Sequence, residues 1–122
     1  MSEQLTHFID GARVKGVSGN FLNVFNPATG ESHAQVPLAS VGEIKTSIAS
    51  AKAAFPIWST TAPAKRAAVM FKYRELLYAH FDEIAEMVSR EHGKTQDDAR
   101  GELARGIEVV EFACGIPQAL KG

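Results

Sequence analysis

The chain has 122 residues, 45% hydrophobic and 22% charged, and 13 basic against 14 acidic side chains leave a net charge of -1. That balance excludes a disordered polyelectrolyte and gives no electrostatic footprint for nucleic acid or an anionic membrane. Cys114 is the single cysteine, which excludes an intrachain disulfide and a cysteine-built metal site. No apolar stretch reaches the length of a membrane span, and the opening M-S-E-Q-L-T-H-F has no signal-peptide core. The expectation is a cytoplasmic chain, or a mitochondrial-matrix one if it is a mature eukaryotic protein.

In chain order, His7-Phe8-Ile9, Asp10-Gly11 and Ala12-Arg13-Val14 read as strand, two-residue turn and strand. Asp-Gly favours that hairpin because its glycine takes positive φ without a steric penalty. Residues 21–25 and 32–36 flank Asn26-Pro27-Ala28-Thr29-Gly30-Glu31, a turn signal between two further strands. Residues 1–38 therefore predict a small antiparallel β-hairpin region that needs something to pack on.

Ser40-Val41-Gly42-Glu43 is a capping box, in which the serine serves an orphan amide and the glutamate reaches back. The helix it starts carries Val41, Ile44, Ile48, Ala51 and Phe55 on one face, and Pro56 is expected to end it. Ile57-Trp58 then falls in a loop. Pro63 opens a second helix with Val69, Tyr73, Leu76, Leu77 and His80 inward and Arg66, Lys72 and Glu75 wet. A break is expected near His80-Phe81-Asp82. The third helix turns Ile84, Met87 and Val88 inward and stops at Gly93.

Thr95 to Leu120 predicts the last and longest helix, opened by Thr95 with Asp98. Ala99, Leu103, Ile107, Val110 and Cys114 form one apolar stripe, and Val109, Phe112 and Ile116 a second. Nothing further along the sequence covers the second stripe, which implies an excised N-terminal portion or an oligomer. The fold class is mainly α with a small N-terminal β-hairpin region. Residues 1–38 are the β part and 39–122 a helical part of about four helices, together one incomplete domain.

No complete catalytic constellation is present. Cys114, on an apolar stripe near a helix C-terminus, reads as structural, because a reactive thiolate needs the opposite end of a helix or a paired base. His7, His33, His80 and His92 have no metal-site spacing. Gly93-Lys94-Thr95 lacks the glycine loop of a phosphate site, so Lys94 is expected to neutralise carbonyls of the preceding helix. Glu102, Glu108 and Glu111 are expected to be solvated or paired with arginines such as Arg105. Arg105 lies beside Gly106 and four residues after Gly101, so a ligand carboxylate could meet its guanidinium there. By chemistry alone that reading loses to an ordinary surface Glu–Arg pair.

Phe8 to Gly11 (F-I-D-G), Phe25 to Glu31 (F-N-P-A-T-G-E), Ala53 to Trp58 (A-A-F-P-I-W) and Glu91 to Lys94 (E-H-G-K) together resemble the N-terminal portion of an aldehyde dehydrogenase. Gly101 to Pro117, G-E-L-A-R-G-I-E-V-V-E-F-A-C-G-I-P, is more specific and resembles the CoA-acylating methylmalonate-semialdehyde dehydrogenase branch. The resemblance spans essentially the whole chain. It implies the N-terminal part of the dehydrogenase α/β fold and an enzyme of valine and pyrimidine breakdown. That enzyme would oxidise methylmalonate or malonate semialdehyde with NAD and pass the acyl group to CoA. It assigns Arg105 to the substrate carboxylate. The family's catalytic cysteine, general-base glutamate, oxyanion asparagine and NAD turn would all lie later than Gly122. The implied partners are the rest of the dehydrogenase chain and further copies of it, with no catalytic residue, cofactor or metal on these 122 residues. The competing expectation is a small helical interaction module acting through an apolar face.

Overall fold

A computed structural model describes residues 3–122. They form two compact units, residues 3–59 and residues 60–122.

The first unit begins with β1 (Glu3–Gln4), β2 (His7–Ile9) and β3 (Ala12–Val14). Asp10 (φ 54°) and Gly11 (φ 72°) both take the left-handed conformation that the hairpin between β2 and β3 requires. β4 (Phe21–Phe25) and β5 (Ser32–Pro37) pair antiparallel. Their turn is closed by Asn26, whose side chain accepts from the Ala28 amide at 2.9 Å. The all-antiparallel expectation needs one correction. β1 pairs with β5 in parallel, Glu3 opposite Ala34 and Gln4 opposite Gln35, giving the order β1-β5-β4. Two residues with no hairpin partner leave no periodicity to read, so this strand had no signal. Ala34 and Pro37 are the buried positions of β5.

Helix α1 (Val41–Thr60) starts at the capping box: Ser40 N–H donates to Glu43 Oε2 at 2.7 Å, and Glu43 N–H donates to Ser40 Oγ at 3.2 Å. Two expectations fail here. The helix runs through Pro56 to Thr60, so Ile57 and Trp58 are helical. A mid-helix proline costs about 3 kcal/mol, a penalty the intact turns on either side can carry. The predicted inward face is exposed at Val41, Ile44, Ile48 and Phe55, whereas Glu43, Ser47 and Ser50 are half-buried.

The second unit holds α2 (Pro63–Ala79), α3 (Phe81–His92), α4 (Gln96–Cys114) and α5 (Ile116–Ala119). Pro63 opens α2, His80 separates α2 from α3, and Gly93 ends α3 in the left-handed conformation. Its core is built of small residues, Ala67, Ala85 and Ala99, with Ile107 and Cys114, so the helix backbones approach closely. The inward face of α2 differs from the predicted one. Ala67 is buried and Met70, Arg74 and Leu77 are half-buried, while Val69, Tyr73 and Leu76 are exposed. Apolar residues occur on more than one face of α2, and the small Ala67 fits the tight contact. Met87 of α3 is likewise exposed.

Candidate functional site

Helix α4 carries Arg105, Cys114 and the glutamates Glu102, Glu108 and Glu111, and Lys94 lies in the linker before it. Thr95 Oγ1 accepts from the Asp98 amide at 3.3 Å, and Asp97 and Asp98 place negative charge on the first turn. The stripe from Ala99 to Cys114 is buried or half-buried, as its spacing predicts. α4 stops at Cys114 and is one residue shorter than the 20-residue α1, so it is not the longest helix. Gly115 interrupts it before α5. Val109 is 69% and Phe112 77% exposed, so the second stripe is open.

Arg105 lies on this open side. Its side chain leans toward the helix N-terminus, the direction side chains on a helix take, and Nη1 comes within 3.7 Å of where a Gly101 Cβ would stand. Among the described residues Arg105 makes no hydrogen bond or ion pair. Its two nearest carboxylates in sequence, three residues away on either side, are Glu102 and Glu108. Glu102 is engaged by the Lys94 ammonium. That hydrogen bond, then the charge of Lys94, hold the Glu102 carboxyl below its ordinary range, with smaller help from the charges of His92 and Arg105. Lys94 therefore pairs with α4 rather than neutralising α3 carbonyls. A charge-assisted hydrogen bond to a carboxylate satisfies the ammonium better than the weak field of a helix end. The carbonyl of Lys94 accepts from Ser89 Oγ at 3.0 Å instead.

Glu111 is paired with Arg74 of α2 and not with Arg105. The guanidinium places Nη2 2.5 Å and Nε 2.6 Å from Glu111 Oε1. Arg74 also stacks on Tyr78, 4.7 Å from the ring centroid. Donating to the Glu111 carboxylate raises the Arg74 pKa further. Both side chains are 38% exposed. This cluster went unread in the sequence. Arg74 and Tyr78 are an i,i+4 pair, but no local signal joins them to a carboxylate 37 residues on.

Cys114 is buried in the apolar stripe, and no group of three His, Cys, Asp or Glu side chains among the described residues could hold a metal ion. Gly93-Lys94-Thr95 forms a helix end and the next helix cap, with no phosphate cradle. No described helix is long and apolar enough to cross a membrane. Of the two arginines on α4, Arg100 is paired with Asp82 and Asp97 and Arg105 is open, and the described residues hold no nucleophile with a base.

Residues 14–122 match the aldehyde dehydrogenase family model. A malonate-semialdehyde dehydrogenase of Pseudomonas aeruginosa is 48% identical over 97% of the chain, which spans 24% of that relative. Among solved structures, a Sinorhizobium meliloti protein assigned as a methylmalonate-semialdehyde dehydrogenase, in complex with NAD, superposes with a TM-score of 0.92 at 53% identity. It covers 97% of this chain, which again spans 24% of that one. The methylmalonate-semialdehyde dehydrogenase of Oceanimonas doudoroffii gives 0.90 at 49% identity, with the same two coverages. The chain spans about a quarter of the length of these relatives. It belongs to the aldehyde dehydrogenase family.

Proposed function

We propose that these residues are the N-terminal scaffold of an NAD-dependent, CoA-acylating dehydrogenase of methylmalonate or malonate semialdehyde, and that Arg105 binds the substrate carboxylate. The observation that carries the reading is the match of nearly the whole chain to one quarter of such enzymes. The open guanidinium on α4 supports the second part, because an anionic aldehyde needs a partner for its carboxylate. In this reading NAD and CoA lie outside these residues. Among the described residues the one parallel pairing, β1 with β5, is two residues long and has no glycine turn leading into a helix behind it. Both would be held by the rest of the polypeptide, and no step of the reaction is assigned to residues here. The enzyme would serve valine and pyrimidine breakdown in the cytoplasm. The exposed apolar faces support its assembly with the rest of the chain and into a homo-oligomer.

The test is Arg105→Leu in the full-length dehydrogenase. A lost charge-assisted contact, about 1.5–3 kcal/mol, raises KM for the charged semialdehyde about tenfold or more and leaves an uncharged aldehyde unchanged. Equal effects on both substrates refute the carboxylate role.

A further inference from the structure

The Arg105 guanidinium remains open although two glutamates stand within one helical turn of it. Glu108 lies C-terminal to Arg105, and the arginine leans the other way, over Gly101. That accounts for one glutamate. Glu102 lies on the side toward which Arg105 leans, at the i,i+3 spacing at which opposite charges on a helix meet. Nothing on α4 itself prevents that pair. What prevents it comes from the linker before the helix: Lys94 takes the Glu102 carboxylate. Lys94 is only 21% exposed, and its backbone is fixed by the bond from Ser89 Oγ, so the ammonium is held in place rather than waving in solvent.

We infer that Lys94 is a positioning residue: by occupying Glu102 it keeps Arg105 unpaired and available to an anionic ligand. The inference rests on the carboxylate role proposed for Arg105. Without Lys94, Glu102 has two effects of the same sign. It competes for the guanidinium, and it adds an uncompensated negative charge beside the place where an anion would bind. The first can be sized. An i,i+3 ion pair on an exposed helix favours the closed form by about twofold, which leaves about a third of Arg105 open. Apparent affinity falls by the open fraction, so about two- to threefold. The second effect adds to this and weakens with salt.

The experiment is a small set of variants in the full-length dehydrogenase, assayed with the charged semialdehyde and with an uncharged aldehyde. Lys94→Met is expected to raise KM for the charged substrate at least two- to threefold, with kcat and the uncharged substrate unchanged. Adding Glu102→Gln to Lys94→Met restores the wild-type KM, and Lys94→Arg never loses it. A purely structural Lys94 would change both substrates alike, and removing Glu102 would not repair it. Either result overturns the inference. Should Lys94→Met fold poorly, Glu102→Gln alone decides: KM at or below wild type agrees, and a raised KM refutes. Arg105→Leu separates the two levels. If it fails to discriminate between the substrates, the carboxylate reading falls. If it discriminates and Lys94→Met with Glu102→Gln does not behave as stated, only the role of Lys94 falls.

Discussion

Glu43 does more than a capping residue is asked to do. One carboxylate oxygen closes the box on the Ser40 amide. The other accepts from the Val17 amide at 2.9 Å and lies 3.5 Å from His7 Nε2. A single side chain thus ties the start of α1 to the loop after the first hairpin and to the hairpin itself. The hydrogen bond from the Ser40 amide, followed by those from the Ser40 side chain and Val17, lowers its pKa from 4.5 to about 2. A carboxyl depressed on folding stabilises the fold above its unfolded pKa, and that contribution is lost as pH falls through the folded one. The window is therefore pH 4.5 down to about 2. Trp58, the one tryptophan, sits in α1 and reports on this unit. Urea unfolding followed by its fluorescence should show wild type above Glu43→Gln at pH 7, with the gap closing between pH 4.5 and 2. A gap that stays constant with pH would remove Glu43 from this role. Ser40→Ala, which breaks the other half of the box, should cost about 1 kcal/mol at pH 7.

Two glycines, one in the loop after β3 and one inside α4, forecast opposite signs for the same substitution. At Gly16 an added Cβ would stand 2.5 Å from Pro37 Cβ and 3.4 Å from His7 Nε2. Pro37 is buried at the end of β5, so the clash cannot be relieved cheaply, and Gly16→Ala should destabilise by about 1–3 kcal/mol. At Gly106, inside α4, an added Cβ meets nothing within 4 Å. Gly106→Ala should therefore stabilise the isolated chain by up to about 1 kcal/mol, the helix-propensity difference. Denaturation midpoints of the two variants check both signs. The same contrast explains what was legible in the sequence. Local rules reached the Asp10-Gly11 hairpin, the Ser40 and Thr95 caps, the His80 break, the Gly93 stop and the buried stripe of α4, because each depends on neighbours within a turn. They missed the continuation of α1 through Pro56 and the inward face of α2, where cooperativity and tight packing at Ala67 outweigh local preference. They missed the partners of Lys94, Glu111 and Glu43 for another reason: each ion pair or hydrogen bond reaches across elements, and charge carries no periodicity. Arg105 was legible as an oddity between two glycines, but its openness depends on where Lys94 reaches.

At the scale of the whole chain, the distribution of apolar surface is the main fact. In the first unit Val41, Ile48 and Phe55 of α1 are exposed, and in the second Val69, Tyr73, Leu76, Val109 and Phe112 are. These are rows at helical spacing, and rows of that kind ordinarily meet a partner. In relatives about four times as long there is polypeptide available to cover them; in the isolated chain there is only another copy. The 122-residue protein alone is therefore expected to self-associate, with an apparent mass by light scattering that rises with concentration. Val109→Glu with Phe112→Glu should reduce that association, since it puts two charges on the open stripe of α4 without touching the buried one. The same preparation, given NAD, CoA and semialdehyde, should form no NADH, because the one thiol is buried at the C-terminal end of its helix. A concentration-independent monomer would mean that the exposed rows are tolerated as they stand, and measurable turnover would mean that the chain carries chemistry its fold does not account for.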